Sequence, residues 1–112
     1  MSLDVREKDG VVVLTPRGML IGGKETDELQ GKIKDLAEGG NRKLLINLGH
    51  TTFMSSPPLN ELVRGHVNYA KRDAKMKLCG VDKKIQSLLV ITKLSLVFDV
   101  YGTEEEALKS FN

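Results

Sequence analysis

An apolar run near the middle of the chain limits its possible folds more than any other feature. Leu44, Leu45 and Ile46 follow one another directly, with Lys43 before them and Asn47 after them. A continuous run of this length suits a strand buried on both faces better than a hairpin strand with one face in water. Strands of that kind belong to sheets covered by helices, so the run favours an α/β fold.

Helical and strand patterns alternate on either side of this run. Apolar residues at helical spacing predict helices, and short apolar or alternating stretches predict strands. The predicted strands cover residues 3–8, 11–15, 43–48, 75–81 and 96–101. The predicted helices cover residues 24–38, 58–72 and 83–93, with a short fourth helix opened by a capping box at residues 103–106. We therefore expect one α/β domain over residues 1–112, with a mixed, mostly parallel sheet of about five strands and about four helices.

Residues with strong conformational preferences mark several boundaries. Asp9 and Gly10 predict a tight turn between the first two strands, because Asp-Gly readily supplies positive backbone angles. Asp82 predicts the N-cap of the third helix, where its side chain can accept a backbone hydrogen bond. The glycine-rich residues 18–23 predict an extended connector between a strand and a helix. They lack the ending and the spacing of a phosphate-binding loop, so a simple bend is the preferred interpretation.

Composition excludes several classes of function. Lysine and arginine number 17, aspartate and glutamate number 15, and the charges are scattered through the chain, which argues against a nucleic-acid partner. The sequence shows neither a signal peptide nor a bilayer-spanning apolar segment, so we expect a cytoplasmic protein without direct membrane insertion. Cys79 is the single cysteine, which excludes an internal disulfide and favours an inert core position. No metal and no organic cofactor is implied.

Catalytic groups are difficult to assemble from this sequence. Ser56 and His50 can be imagined as nucleophile and base, but the chain offers no third orienting group and no glycine-flanked nucleophile turn. His50 is predicted to lie in a surface loop. His66 falls on or near the apolar stripe of its helix, which predicts a partly buried, hydrogen-bonded side chain. We therefore expect a protein that is not an enzyme.

Two serines stand where a predicted strand gives way to a helix. Ser55 and Ser56 are followed by Pro57 and Pro58, and apolar residues at helical spacing begin at Leu59. A residue before proline is biased away from helical geometry, which places the predicted helix start at Pro58 and leaves Ser56 in a surface turn. There Ser56 is free to be modified or to contact a partner, since negative charge is tolerated at a helix N-terminus. The alternative is that either serine only caps the helix.

The order of elements and the residues around these serines resemble the STAS domain, and most closely the bacterial anti-sigma-factor antagonists. The resemblance rests on residues 53–59, which follow a strand ending at residues 46–48. It covers essentially the whole chain and includes residues 14–20 and 77–81.

The central pattern of that family is Phe-Met/Ile-Asp-Ser-Ser/Thr-Gly-Leu-Gly. Matched on Phe53, Met54 and Leu59, Ser56 falls on the serine that a partner kinase phosphorylates in the family, and Ser55 is the alternative site. The chain departs from the pattern at four positions. The family's Asp, second Ser/Thr and two Gly are replaced by Ser55, Pro57, Pro58 and Asn60.

The resemblance implies a regulatory protein that binds a kinase-type anti-sigma factor and is released when its serine is phosphorylated. A phosphate adds close to two negative charges at the contact surface, which would eject the partner. A serine phosphatase would then reset the cycle. The residues that the resemblance assigns to partner binding are Gly22, Gly23, Met54, Ser55, Ser56, Pro57, Pro58 and Asn60.

Two other functions remain open at this point. The chain could be a STAS subunit of a transporter or signalling assembly that binds its partner without phosphorylation, which the altered serine motif favours. It could also sense a small ligand or nucleotide through the Gly22-Gly23 loop and the helix end at Ser55 and Ser56.

Overall fold

The computed structural model describes residues 3–111 and contains two sheets. The strands are β1 (Leu3–Lys8), β2 (Val11–Pro16), β3 (Gly18–Leu20), β4 (Lys43–Asn47), β5 (Thr51–Met54), β6 (Lys75–Cys79) and β7 (Val100–Tyr101). The main sheet has the spatial order β1-β2-β4-β6-β7, and β3 pairs with β5 in a separate sheet. β1 and β2 are antiparallel, whereas all the other neighbouring strands described are parallel.

Helices cover both faces of the main sheet. They are α1 (Lys24–Glu38), α2 (Ser56–Lys71), α3 (Lys83–Ile91), a short 3₁₀ helix (Leu94–Leu96) and α4 (Glu104–Ser110). Buried residues of α1, α2 and α3 join the larger core on one face, and α4 packs against the other face. This arrangement confirms the predicted α/β fold with a mixed five-stranded sheet and four helices. Within the described residues, no helix is both long enough and apolar enough to cross a membrane.

β4 occupies the centre of the main sheet, between β2 and β6. Leu44 and Ile46 point into the larger core, while Leu45 points into the smaller core beneath α4. All three side chains are fully buried. The apolar run therefore forms a strand buried on both faces, as predicted.

Three predicted boundaries are confirmed by backbone and side-chain geometry. Asp9 and Gly10 have φ of 54° and 80° in the turn between β1 and β2. Asp82 accepts a hydrogen bond from the Ile85 N–H at 2.9 Å, which caps α3. Thr103 accepts one from the Glu106 N–H at 3.1 Å, which caps α4.

The last predicted strand is wrong over most of its length. Only Val100 and Tyr101 pair with β6, whereas residues 96–101 were expected to be extended. Lys93 has a left-handed φ of 64°, and the chain then turns through the 3₁₀ helix. The N–H groups of Val97 and Phe98 donate to the Leu94 carbonyl at 2.9 and 3.1 Å. Because these amides are used locally, they cannot join the ladder of β6.

Lys77 is an unexpected member of the second face of the sheet. Lys77 is only 5% exposed. Its place in β6, between the apolar Met76 and Leu78, predicts instead a lysine on a solvent-facing side of the strand. The ammonium group donates to the Ser110 carbonyl at 3.0 Å and to the Ser110 hydroxyl at 2.9 Å. It also lies 4.8 Å from the ring centre of Phe111 and 5.4 Å from that of Tyr101. Lys77 therefore holds the C-terminal end of α4 on the sheet, where the helix dipole favours positive charge.

α1 and α2 approach closely at Gly65. A Cβ atom on this glycine would lie 2.8 Å from Ile33 Cγ2 and 3.2 Å from Met76 Sδ. Both distances are shorter than normal van der Waals contact, so a larger residue would force the side chains of Ile33 and Met76 to move. The absence of a Cβ atom at Gly65 therefore allows α1 and α2 to pack closely on the sheet.

We predict that Gly65→Ala destabilises the fold by about 1–3 kcal/mol through overpacking. The control is Gly31→Ala on α1, because a Cβ there meets no atom within 4 Å. Alanine is the better helix former, so this control should stabilise the protein by up to about 1 kcal/mol. Urea unfolding of both variants measures the two changes. Equal effects on the unfolding free energy would show that the helix approach at Gly65 is not tight.

Candidate functional site

The predicted serine junction lies where the chain leaves the central strand and enters α2. After β4 the chain turns at residues 49–50 and forms β5, which pairs with β3 rather than with the main sheet. The Ser55 N–H donates to the Leu20 carbonyl at 2.9 Å, and the Thr51 hydroxyl donates to the Pro16 carbonyl at 3.2 Å. The short sheet thus supports the junction from both ends.

The pairing of β3 with β5 corrects the prediction for residues 18–23. The sequence predicts an extended connector and a simple bend there, whereas Gly18–Leu20 forms a strand whose residues pair with Thr51, Phe53 and Met54. A three-residue strand that contains glycine has too few side chains to show a periodic pattern. The run Thr51 to Met54, rich in β-branched and aromatic residues, was the signal that could have indicated a strand.

The start of α2 also differs from the prediction. Ser55 is the extended N-cap residue and Ser56 is the first helical residue, two positions before the predicted start at Pro58. Proline is tolerated here because the first turn of a helix does not need its N–H groups. The bias against helical geometry before a proline is therefore overcome at Ser56 and Pro57.

Ser55 and Ser56 have different environments. Ser55 is half-buried, and its hydroxyl donates a long hydrogen bond of 3.4 Å to the Leu20 carbonyl instead of capping α2. Ser56 is exposed on the first turn of the helix. Of the two hydroxyls, that of Ser56 is the one available to an enzyme or a partner.

The remaining predicted site residues surround this helix start. Pro57 and Asn60 are exposed, whereas Met54 and Pro58 are buried. Gly22 and Gly23 lie at the start of α1, and the Gly22 N–H donates to the Thr26 hydroxyl at 2.9 Å. The glycines follow β3 by two and three residues, so the strand pairing brings them to the same end of the molecule as Ser55.

The prolines change the electrostatics of the helix start. A helix N-terminus usually offers several free N–H groups to an anion. Here Pro57 and Pro58 have none, and the Leu59 N–H donates to the Ser55 carbonyl at 3.4 Å. Ser56 supplies the one remaining N–H of the first turn. The site is therefore a poor cradle for a free phosphate or nucleotide.

An apolar groove separates the junction from α3. Its volume is about 430 Å³, which is within the range of ligand and peptide sites. Ser55 and Ser56 form part of one wall, and α3 forms the other. The lining residues are Phe53, Met54, Ser55, Ser56, Lys84, Ile85 and Leu88.

Sequence reasoning did not find the contribution of α3 to this site. As a sequence pattern, the adjacent Lys83 and Lys84 predict a solvated surface pair or, less often, a contact with an acidic partner. The structure places Lys84 in the groove, and Leu88 and Ile91 follow it at helical spacing. Ile91 is 79% exposed. Residues 83–98 contain three lysines and no acidic residue, and Lys84, Ile85 and Leu88 of this stretch form an apolar and positively charged part of the groove lining.

Apolar side chains continue on the other side of the groove. Met19 and Phe53 are neighbours across the β3–β5 pair, and they are 55% and 49% exposed. Ile21 is 55% exposed just beyond β3. Large apolar residues grouped at one end of a small domain are typical of a protein interaction surface.

No catalytic arrangement is visible in the described residues. His50 is exposed in the turn before β5, as predicted. His66 is partly buried as predicted, but its Nδ1 has no hydrogen-bond partner among residues 3–111, and its ring meets Phe98 edge-on at 5.5 Å. Cys79 lies in the smaller core, as predicted, and burial raises the pKa of its thiol to about 12. Within the same residues, no three potential metal ligands are grouped.

A polar network supports the loop that leads to the junction. The Asn47 side chain donates to Glu104 Oε1 at 3.1 Å and accepts from the Gly49 N–H at 2.8 Å. Glu104 also pairs with Arg6. Partial burial acts to raise the pKa of Glu104, but the hydrogen bonds from Arg6 and Asn47 and the charge of Arg6 hold that pKa below its usual range. The carboxylate therefore stays charged and links α4 to the end of β4.

Comparisons with known proteins agree with this fold. The model of the STAS domain family matches residues 2–107. A proposed anti-sigma factor antagonist from Thermotoga maritima superposes with a TM-score of 0.89 at 20% identity, covering 96% of this chain and 92% of that chain. An anti-sigma-factor antagonist (STAS) domain protein from Planctomyces limnophilus gives a TM-score of 0.83 at 23% identity, covering 96% of each chain.

The phosphorylated form of the Bacillus cell fate determinant SpoIIAA is a further structural relative. It superposes with a TM-score of 0.78 at 16% identity, covering 98% of this chain and 99% of that chain. At these identities the superpositions show a shared fold. A comparison with curated proteins finds no match.

We predict that Phe53 and Met54, adjacent in β5, differ sharply in their contribution to stability. Met54 is 4% exposed and belongs to the larger core, so Met54→Ala should cost about 2–5 kcal/mol. Phe53→Ala should cost less than about 1 kcal/mol, because half of its surface is already in water. Urea unfolding compares the two. A similar loss for Phe53→Ala would make Phe53 a core residue and remove it from the interaction surface.

Proposed function

We propose that this chain, which belongs to the STAS domain family, is a regulatory module that binds an anti-sigma factor through the start of α2. The single observation that carries the proposal is the exposed Ser56, set between the apolar groove and the supporting β3–β5 pair. The surface combines exposed aromatic and aliphatic side chains with one accessible hydroxyl. It suits a protein partner better than a small substrate.

Phosphorylation of Ser56 is the proposed switch. The partner is a kinase-type anti-sigma factor, and a serine phosphatase restores the unmodified chain. A phosphate would place close to two negative charges at the centre of an apolar contact surface, where they would have to lose water on binding. Ser55 is the weaker candidate for modification, because it is half-buried and its N–H is held by Leu20. We place the protein in the cytoplasm, where such partners act.

Constitutive binding is the second candidate, and Pro57 and Pro58 favour it. A kinase would have to accept the rigid Pro57-Pro58 pair next to its target serine, in place of the small residues of the family pattern. The chain would then act as a STAS subunit of a transporter or signalling assembly. A nucleotide sensor is less well supported, because the same prolines remove the N–H groups that would hold a phosphate.

We predict that Ser56→Asp weakens binding of the anti-sigma factor at least about tenfold, equivalent to about 1.4 kcal/mol, while Ser56→Ala changes it little. The partner is first identified by affinity purification of the tagged chain from its native host. Titration calorimetry with the purified partner then gives the affinities. Asn68→Asp serves as the control, because it adds a negative charge near the opposite end of the same helix.

The outcomes separate the two candidates. A phosphate switch is supported if Ser56→Asp binds weakly while Ser56→Ala and Asn68→Asp bind like the wild type. Equal affinities of the wild type, Ser56→Ala and Ser56→Asp would reject the switch and favour constitutive binding. Mass spectrometry of the chain from the host, with phosphate found or not found on Ser56, gives an independent check.

A further inference from the structure

Ser56 and Lys84 lie on two helices that border the same apolar groove. Ser56 lies at the start of α2 and Lys84 in the first turn of α3, and both line the same space of about 430 Å³. Among the described residues that line the groove, Lys84 is the single charged one. A negative charge added to Ser56 would therefore share the groove with the positive side chain of Lys84.

The start of α2 cannot neutralise such a charge by itself. Pro57 and Pro58 have no N–H, and the Leu59 N–H is already donated to the Ser55 carbonyl. A phosphate on Ser56 would thus have one backbone donor instead of the usual group of donors at a helix start. The remaining charge must be met by solvent or by a side chain.

The ammonium group of Lys84 is available to pair with a phosphate on Ser56. Within residues 3–111 its ammonium group makes no ion pair. The neighbouring carboxylate of Asp82 accepts the N–H of Ile85 as the cap of α3. No acidic residue follows until Asp99. Lys84 also opposes the helix dipole in the first turn of α3, so a nearby negative charge would relieve an unfavourable position.

We propose that Lys84 is the intramolecular counter-ion of a phosphate on Ser56. The pair would bridge α2 and α3 across the groove. Phosphorylation then acts in two ways: it adds negative charge to the surface, and it occupies the lysine that would otherwise be free to contact the partner. This inference rests on the proposed function, because it assumes that Ser56 is the modified residue.

In the unmodified protein the same lysine is available to the partner. An anti-sigma factor that presents an apolar side chain to the groove and a carboxylate to Lys84 would complement this wall in polarity and in charge. The phosphate and the partner's carboxylate would then compete for one ammonium group. The switch would depend on this competition as well as on repulsion.

The test uses the full chain with phosphoserine encoded at position 56, so it needs neither the kinase nor the partner. The second pKa of the phosphate, ordinarily about 6, is followed by phosphorus NMR at low ionic strength. Lys84→Gln should raise this pKa by about half a unit, because a nearby positive charge favours the doubly charged phosphate. Lys83→Gln is the matched control, because it removes the same charge from the neighbouring residue. Lys83 does not line the groove.

A clearly larger rise for Lys84→Gln than for Lys83→Gln supports the pairing. Equal phosphate pKa values in the wild type and Lys84→Gln would overturn it, and so would equal rises in the two variants. Failure of the proposed function is a separate result, because it appears as the absence of phosphate on Ser56 in the host. The encoded phosphoserine reports on Lys84 in either case.

Discussion

Burial of β4 on both faces is the constraint on which the rest of this structure depends. Leu44, Leu45 and Ile46 must all be kept from water, so the sheet needs α1, α2 and α3 on one side and α4 on the other. Each parallel neighbour of β4 needs a crossover, and the crossover after β4 contains β5 and α2. The start of α2 therefore lies at the end of the main sheet where β4 stops. The short β3–β5 sheet supports it there.

That position gives the proposed site a rigid base and an open surface. Ser55 is tied to Leu20 through its backbone, while Ser56, one residue later, stands free at the edge of the groove. Pro57 and Pro58 restrict the backbone of the helix start and at the same time reduce its capacity to hold anions. The chemistry of the site therefore shifts from backbone donors to Lys84 on the facing helix.

Much of the fold could be predicted because its signals are local and periodic. The apolar run of β4, the turn at Asp9 and Gly10, and the caps at Asp82 and Thr103 each depend on a few adjacent residues. β3 could not be predicted, because a three-residue strand exists only through its pairing with β5. The prediction of the last strand was wrong over residues 96–99, because local hydrogen bonds after Lys93 use the amides that pairing with β6 would need. The candidate site could be predicted only in part, because the serines follow from the sequence, whereas Lys84 reaches the groove through tertiary packing of α3.

The central claim is that the start of α2 and the facing wall of α3 form the surface that meets the partner. Backbone hydrogen exchange of this chain, measured with and without the host's purified anti-sigma factor, tests it most directly. We expect exchange to slow in residues 51–63 and in the first turns of α3, and to stay unchanged in β1 and α4. Slower exchange confined to β1 and α4, with the junction unaffected, would contradict the account.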